Sequence, residues 1–322
     1  MAGIPDERIL ICGTGALASL FAVRLGQAGV QVTMTGRWAA ALDVIAAQGV
    51  TLHPPDSPPI QTRPQVARQP QAARGIPWAL VLRKSWQTAE TASWLAACLP
   101  PEGLALSLQN GLGNLETLQA ALGESRAAAG VTTLPAALTA PGVVRQTGQG
   151  DILLGAHPRL SPLADLLRRA GFTVHVHADL RGVQWGKLVV NAAINPLGAL
   201  LGLPNGALLQ DPEARRTLHA LAREAAAVAA AQGIRLPYPD PLAAVEAVAR
   251  RTAGNENSML QDLRRGAPTE LEAITGAVLR IAKKHGLEIP VTVRVYRALQ
   301  QTLAERHPTS DIRHPTPDTC HS

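Results

Sequence analysis

The stretch from residue 8 to residue 35 constrains the fold of this chain most strongly. An apolar run, RILIC, leads into a glycine-containing turn, apolar residues at helical spacing follow as far as Gly26, and a second apolar run covers residues 30–35. A strand, a glycine turn, a helix and a strand in this order favour dinucleotide binding when the turn reads G-x-G-x-x-[G/A]. The predicted cofactor-binding turn consists of Gly13, Thr14, Gly15, Ala16, Leu17 and Ala18.

Each small residue of this turn has a predicted task. Gly13 permits the tight turn, Gly15 lets the backbone approach a pyrophosphate, and Ala18 allows close packing of the helix on the strand. The pyrophosphate then lies at the helix N-terminus, where free N–H groups and the helix dipole favour anions. Glycine turns also precede helices in unrelated α/β folds, so the motif depends on its context.

The end of the second predicted strand distinguishes between two cofactors. An NAD site places Asp or Glu there to accept the ribose 2′-hydroxyl, whereas this chain has Thr35-Gly36-Arg37. Arg37 can pair with a 2′-phosphate, and the strand end carries no carboxylate that would repel one. The sequence therefore predicts NADPH/NADP+ as cofactor, and the alternative is an ordinary surface arginine.

Two later strands bring further polar residues to the same place. Apolar runs at residues 78–82 and 104–108 read as buried strands, followed by Lys84 and by Asn110. Ligands of open parallel sheets bind outside the carboxyl ends of the strands. We therefore expect Lys84 and Asn110 to share one sheet edge with Gly13 and Arg37, although Asn110-Gly111 alone is typical of a plain turn.

The character of the chain changes near Asp179, from alternating strands and helices to almost continuous helix. The predicted domains are therefore 1–179, a dinucleotide-binding domain, and 180–306, a helical substrate and catalytic domain. Residues 307–322 are polar and Pro-rich and are predicted to be a disordered tail.

The helical half contains a polar stripe in WGKLVVNAAINPL. Lys187, Asn191 and Asn195 are spaced i, i+4, i+8 and so lie on one face of an otherwise apolar helix. Such side chains need hydrogen-bond partners, which either a buried polar network or a polar ligand supplies. Pro196 disfavours helical geometry at Asn195, so we expect the helix to kink or break there.

Lysine usage indicates a proton donor. Only four of the thirty basic residues are lysines, and one of them is Lys187. A guanidinium stays charged, whereas a desolvated ammonium can release its proton near neutrality. Lys187 is therefore the first candidate for a general acid, and chance placement is the alternative.

Further candidates occur at Asn255, Ser258 and Glu270. We expect a helix over residues 268–285, which puts Glu270 near its N-terminus. The helix dipole favours a carboxylate at that position, so a purely structural role for Glu270 also remains open.

Charge and composition exclude other classes of protein. The net charge is +6, but the basic residues are scattered and lack interleaved aromatics, so nucleic-acid binding is not expected. No apolar run reaches the roughly 18 residues of a membrane span, and the N-terminus lacks a signal peptide, so a cytoplasmic protein is expected. The three cysteines are far apart, and His175 and His177 lack a third ligand, so no metal site is predicted.

These motifs together resemble the ketopantoate reductase family. The resemblance rests on GTGALA with Arg37, QNGLGN at 109–114, WGKLVVNAAINPL, Pro204-Asn205-Gly206, NENSMLQDLRRGAPTELEAITG and HGLEIPVT, and it covers about residues 8–300. It implies an N-terminal Rossmann-type domain followed by an all-helical, 6-phosphogluconate-dehydrogenase-like C-terminal domain, with the active site in the cleft between them.

The resemblance also implies roles for single residues. Lys187 is the general acid, Glu270 is an essential partner in substrate binding and catalysis, and Lys84 and Asn110 contact cofactor and substrate at the cleft. The implied substrate-binding residues are Asn191, Asn195, Asn205, Asn255 and Ser258.

The function expected from the resemblance is NADPH-dependent reduction of 2-dehydropantoate, or ketopantoate, to (R)-pantoate in pantothenate and coenzyme A biosynthesis. The alternatives are an NADP-dependent reductase of another 2-oxo acid, which would share the fold and the lysine, and a non-catalytic NADP(H)-binding regulator. The expected partner is a small 2-oxo acid, and the chain is expected to be a monomer or a homodimer.

Overall fold

The computed structural model of the protein describes residues 7–306, so the predicted tail at 307–322 lies outside the described residues. The chain forms two compact units. Unit 1 takes the chain up to Leu188 together with residues 229–239 and 272–277, and unit 2 takes residues 189–228, 240–271 and those from 278 onward. The domain limits expected from the sequence stay a prediction.

Unit 1 contains all the described strands, arranged in two sheets. The strands are β1 Arg8–Cys12, β2 Gln31–Thr35, β3 Val50–His53, β4 Ile60–Thr62, β5 Gln65–Val66, β6 Trp78–Val81, β7 Leu104–Ser107, β8 Ala127–Thr132, β9 Ala136–Ala140, β10 Val143–Gln146, β11 Asp151–Gly155 and β12 Thr173–His177.

The larger sheet has the order β12-β11-β8-β7-β6-β1-β2-β5, and it is parallel throughout from β8 to β5. From β1 the chain passes first to β2 on one side and later to β6 on the other side. The strand order therefore reverses at β1, which is where open parallel sheets bind their ligands. The smaller sheet has the order β4-β3-β10-β9.

Both faces of β1 are covered, as expected of a central parallel strand. Ile9 and Ile11 belong to one hydrophobic cluster, whereas Leu10 and Cys12 belong to the other. Each of these side chains is at most 1% exposed. The continuous apolar run in the sequence is therefore explained by burial on two sides.

Helices connect many of the strands in unit 1 and form the described elements of unit 2. They are α1 Ala16–Gln27, α2 Ala39–Gln48, α3 Thr88–Ala96, α4 Asn114–Leu122, α5 Ser161–Arg169, α6 Leu180–Leu201, α7 Ala207–Gln210, α8 Pro212–Ala231, α9 Pro241–Arg251, α10 Ser258–Arg264, α11 Ala277–Lys284 and α12 Pro290–Arg306. Every regular element that the structure describes in unit 2 is helical, so the predicted class, a Rossmann-type domain followed by a helical one, is confirmed. Within residues 7–306 no helix is both long and apolar enough to cross a membrane.

The predicted break at Pro196 is wrong. α6 continues through Pro196 to Leu201 as one helix of 22 residues. A proline inside a helix removes one backbone hydrogen bond, but the apolar residues around it are buried, so their packing outweighs that loss. The buried neighbours are Ala192, Ala193, Ile194, Leu197 and Ala199.

The helix expected over 268–285 also differs from the structure. Its first part is a π-helical segment, Glu272–Gly276, and only then does α11 begin at Ala277. Glu270 lies just before Leu271, the residue that precedes the π-helical segment, and is 5% exposed. Short π-helical turns are frequent at functional sites.

Two carboxylates connect the helices of unit 2. Glu224 on α8 accepts hydrogen bonds from the backbone N–H groups of Val291 at 2.9 Å and Thr292 at 2.7 Å, and so caps the N-terminus of α12. Glu246 on α9 accepts from Arg215 Nε at 2.6 Å and lies 2.7 Å from His219 Nε2. These contacts join α9 to α8.

We expect Glu246→Gln to destabilise the protein by about 2 kcal/mol at neutral pH, since hydrogen bonds to charged groups are the strong ones. The hydrogen bond from Arg215, opposed by burial and assisted by His219, lowers the pKa of Glu246 from 4.5 to about 2. Its stabilising contribution is therefore present above pH 4.5 and is lost as the pH falls toward 2.

Thermal unfolding at neutral pH and at about pH 3.5 measures this effect. The gap in Tm between wild type and Glu246→Gln should narrow at the lower pH, where the wild type loses the contribution. Glu288→Gln, at an exposed position between α11 and α12, is the control and should leave both Tm values unchanged. A gap that stays constant with pH would contradict this account of Glu246.

Candidate active site

The carboxyl ends of four neighbouring strands are in register at one edge of the sheet. Cys12 of β1 pairs with Thr35 of β2 and with Val81 of β6, and Val81 pairs with Ser107 of β7. The segments that follow these strands therefore start along the same sheet edge. They carry the predicted residues Gly13, Arg37, Lys84 and Asn110, so the expected shared location is confirmed, and their binding roles stay predictions.

Gly13 is the residue of the turn that the backbone requires to be glycine. Its φ is +147°, and a Cβ there would lie 2.9 Å from the Leu82 carbonyl oxygen and 3.1 Å from the Ala18 Cβ. Its N–H donates to the Thr35 carbonyl at 2.7 Å. The turn therefore packs tightly between β1, β2 and the chain after β6.

Gly15 leaves space at the start of α1. A Cβ built on Gly15 has no atom within 4 Å. Within the described chain, no side chain caps α1 and no acidic residue lies in its first turn. The N-terminal N–H groups of this 12-residue helix can therefore receive a pyrophosphate.

The other residues of the turn support it. Thr14 is 8% exposed, and its Cγ2 would lie 2.8 Å from a Cβ on Gly36. Ala18 is fully buried, and Ala16 and Leu17 are partly buried against the same hydrophobic cluster. These contacts hold the turn against β2 and the sheet.

Arg37 has an acidic neighbour that the end of β2 did not reveal. Its NH1 lies 3.2 Å from Glu90 Oε2, and its guanidinium carbon lies 5.8 Å from the centre of the Trp86 ring. The end of β2 carries no carboxylate, as expected, but Glu90 of α3 brings one beside Arg37. The Arg37 side chain is 56% exposed.

Lys84 starts the segment that carries Trp86. It is half-buried and precedes the 3-10 turn Ser85–Gln87, whose Gln87 N–H donates to the Lys84 carbonyl at 2.9 Å. This turn leads directly into α3. Lys84, Trp86 and Glu90 thus come from one short stretch at the sheet edge.

Lys187 points to the same edge within unit 1. Its Nζ donates to Asn110 Oδ1 at 2.8 Å and to the Thr132 carbonyl oxygen at 2.7 Å. Thr132 is the last residue of β8. Two neutral oxygens therefore fix the ammonium beside the Asn110 amide, an arrangement that suits a positioned proton donor.

A buried network supports Asn110. Asn114 Nδ2 donates to the Asn110 carbonyl at 3.0 Å, and the Thr88 hydroxyl donates to Asn114 Oδ1 at 2.8 Å. Gln109 Nε2 donates to the Arg83 carbonyl at 3.0 Å. These bonds connect the chain after β7 to the chain after β6 and so fix the acceptor of the Lys187 ammonium.

The residues that fix the backbone before Lys187 do not belong to any motif of the sequence. The Tyr238 hydroxyl donates to the Gly186 carbonyl at 2.8 Å. Burial raises the pKa of Tyr238, so the phenol stays protonated and keeps its role as a donor. A Cβ on Gly186 would lie 2.6 Å from the Pro237 ring. The glycine directly before Lys187 is the one feature of the sequence that could have indicated this close contact.

Gly186→Ala should therefore lower kcat by about 10- to 100-fold, because the added methyl displaces the backbone that carries Lys187. Steady-state kinetics with the 2-oxo acid expected from the sequence measures the loss, and circular dichroism and cofactor affinity should stay near those of wild type. Tyr238→Phe removes only the hydrogen bond and should give a smaller loss in kcat. Unchanged kcat in both variants would contradict this role.

The remaining candidates lie in unit 2. The Asn205 N–H donates to the Asn255 carbonyl at 3.0 Å, and Asn205 Nδ2 donates to Thr252 Oγ1 at 2.8 Å. Unit 2 therefore brings Asn205 and Asn255 together. Ser258 is the first residue of α10, which the Asn257 side chain caps by accepting from two backbone N–H groups.

Asn191 and Asn195 follow Lys187 on the same face of α6, as the spacing predicted. Asn195 and Asn205 are each 6% exposed, whereas Asn191 is half-buried and Asn255 is exposed. The substrate-binding roles of these residues, and that of Glu270, stay predictions.

No group of three or more His, Cys, Asp or Glu side chains in residues 7–306 is placed to hold a metal ion. His175 is exposed, and its Nε2 lies 3.8 Å from Asp151 Oδ2.

Comparisons with known proteins agree with this geometry. The family model described as "Ketopantoate reductase PanE/ApbA" matches residues 9–159, and the model of its C-terminal part matches residues 179–303. The chain is 34% identical over 289 residues to a 2-dehydropantoate 2-reductase of Halobacterium salinarum, covering 88% of this chain and 95% of that protein.

Solved structures show the same fold. A PanE/ApbA family ketopantoate reductase from Ralstonia eutropha JMP134 has a TM-score of 0.87 at 28% identity, covering 93% of this chain and 99% of that chain. A D-mandelate dehydrogenase with NADH and anilino(oxo)acetate also has a TM-score of 0.87, with the same coverage, but at 24% identity it is similar in fold alone. With both family models matched across the two parts, this chain belongs to the ketopantoate reductase family.

Proposed function

We propose that this protein is an NADPH-dependent 2-dehydropantoate 2-reductase, which reduces the 2-oxo group of ketopantoate to give (R)-pantoate for pantothenate and coenzyme A synthesis. The observation that carries the proposal is the Lys187 ammonium, held by Asn110 and by the Thr132 carbonyl at the sheet edge that carries the glycine turn. A cytoplasmic location and a monomeric or homodimeric state stay predictions.

The residues of the turn fit the cofactor. The open space beyond Gly15 and the uncapped start of α1 suit a pyrophosphate, and Arg37 supplies a cation for a 2′-phosphate. When bound, NADPH supplies the hydride that is transferred to the substrate. Preference for NADPH over NADH is the part of the proposal that rests on Arg37.

Lys187 is the proposed general acid. Reduction of a ketone builds negative charge on the former carbonyl oxygen, which needs a proton donor and hydrogen-bond donors nearby. The two neutral acceptors hold the Lys187 ammonium in one position, and a proton leaves Nζ for the developing alkoxide. An arginine in its place would keep the charge but would not release a proton near neutrality.

Residues of unit 2 are proposed to bind the substrate. Amides can both donate to and accept from the oxygens of an oxo acid, and a serine hydroxyl adds a further donor or acceptor. Glu270 is 5% exposed, so its carboxylate is suited to accept a bond from the substrate's terminal hydroxyl in a low-dielectric setting. The proposed substrate residues are Asn191, Asn195, Asn205, Asn255, Ser258 and Glu270.

Incubation of the purified protein with NADPH and ketopantoate tests this function. The expected result is one pantoate, of R configuration, for each NADPH oxidised, with product identity established by chiral chromatography. Tight NADPH binding without oxidation in the presence of any 2-oxo acid would instead favour a non-catalytic NADP(H)-binding regulator.

A further inference from the structure

Glu90 forms the acidic centre of a small charged cluster at the sheet edge. Its Oε2 lies 3.2 Å from Arg37 NH1, and its Oε1 lies 3.5 Å from Arg83 NH1. The Arg83 side chain is only 4% exposed, whereas the side chains of Arg37 and Glu90 are about half exposed at 56% and 49%. The carboxylate therefore connects a buried arginine to the arginine that follows β2.

Trp86 also contacts Arg37 of this cluster. Its ring lies 5.8 Å from the guanidinium carbon of Arg37, and 45% of the residue is exposed. Arg37 is thus held by an ion pair to Glu90 in the first turn of α3 and by a cation-π contact to Trp86 in the 3-10 turn before it. Its position is therefore set by these two contacts as well as by β2.

We propose that Glu90 is a specificity-determining residue, which reduces the preference for NADPH and keeps NADH usable. The proposal rests on the proposed function, because it concerns the cofactor of that reaction. A 2′-phosphate bound by Arg37 encounters the negative charge of Glu90 beside the same guanidinium. The 2′-hydroxyl of NADH, in contrast, can donate a hydrogen bond to that carboxylate, as it does to the acidic residue of NAD sites.

Two effects of Glu90 oppose each other. The carboxylate holds Arg37 in place, but an ion pair between half-exposed side chains stabilises little. The same carboxylate repels a phosphate that carries more than one negative charge. We therefore expect repulsion to outweigh the benefit of a fixed Arg37.

The test is equilibrium binding of NADPH and NADH to wild type and to Glu90→Gln, followed by cofactor fluorescence. In the variant the Kd of NADPH should fall by about fivefold at low salt, and the Kd of NADH should rise by about threefold. The Kd of adenosine 2′,5′-bisphosphate should fall by the same factor as that of NADPH. The Kd of adenosine 5′-monophosphate should not fall.

A matched control removes an equal charge elsewhere in unit 1. Glu102 has a 91% exposed side chain, 4.0 Å from Arg159, and Glu102→Gln should leave both Kd values unchanged. Equal changes for NADPH and NADH in Glu90→Gln, or tighter binding of NADH, would overturn the inference while the proposed function stands. A wild-type protein that binds neither dinucleotide would overturn the proposed function and the inference with it.

Discussion

Lys187→Ala should lower kcat for ketopantoate reduction by about 10²- to 10⁴-fold, the range that a positioned general acid contributes. The variant should still bind NADPH with a Kd within about twofold of wild type, because the glycine turn and Arg37 do not depend on the ammonium. Steady-state kinetics measures the first quantity, and equilibrium fluorescence titration measures the second.

Lys187→Arg separates charge from proton transfer. Arginine keeps a cation near Asn110 and Thr132 but does not release a proton near neutrality, so kcat should stay low. Lys283→Ala, in the last turn of α11, is the matched lysine control and should retain wild-type kcat. Full activity in Lys187→Arg would show that Lys187 acts through its charge alone.

Arg37→Ala should raise the Kd of NADPH by about 10- to 100-fold, the loss expected for a charge-assisted contact to phosphate. The Kd of NADH should change by less than about threefold, because NADH carries no 2′-phosphate. Comparing both dinucleotides in one titration series removes any general effect of the substitution on the fold.

The control for this prediction is Arg63→Ala. Arg63 is an exposed residue between β4 and β5, so its replacement removes the same charge without touching the cluster around Arg37. Equal weakening of NADPH and NADH by Arg37→Ala would remove the argument that this residue selects the cofactor.

Local patterns were sufficient to predict the α/β half of the protein. The apolar runs of β1, β6 and β7 are short and bounded by turn residues. The register of these strands aligns their carboxyl ends, so Gly13, Lys84 and Asn110 follow at the same edge of the sheet. The sheet edge was predictable because open parallel sheets bind their ligands outside the carboxyl ends of the strands.

Two details of the helices differ from the prediction because tertiary packing outweighs local preference. Pro196 disfavours helix at the preceding residue, but buried apolar neighbours keep α6 continuous. Gly111 packs so closely on the π-helical segment Glu272–Gly276 that a Cβ there would lie 2.5 Å from the Ala273 carbonyl oxygen. Neither effect can be seen in a window of neighbouring residues.

The partners of the predicted site residues were also hidden in the sequence. Lys187 contacts Asn110 and Thr132 across 77 and 55 residues of chain, and Tyr238 reaches Gly186 across 52 residues. Glu90 and Arg37 also come from segments that lie far apart in the sequence. Residue types can indicate which side chains do chemistry, but the contacts that position them depend on the folded chain.

The central claim is that ketopantoate is the substrate, and kcat/KM with NADPH for ketopantoate and a panel of other 2-oxo acids tests it most directly. The panel should include pyruvate, 2-oxoisovalerate and benzoylformate, which differ from ketopantoate in size and in the terminal hydroxyl. The account predicts a preference for ketopantoate of at least about 100-fold, since a site built to bond a substrate hydroxyl rejects analogues that lack it. A higher kcat/KM for any other acid of the panel would contradict it.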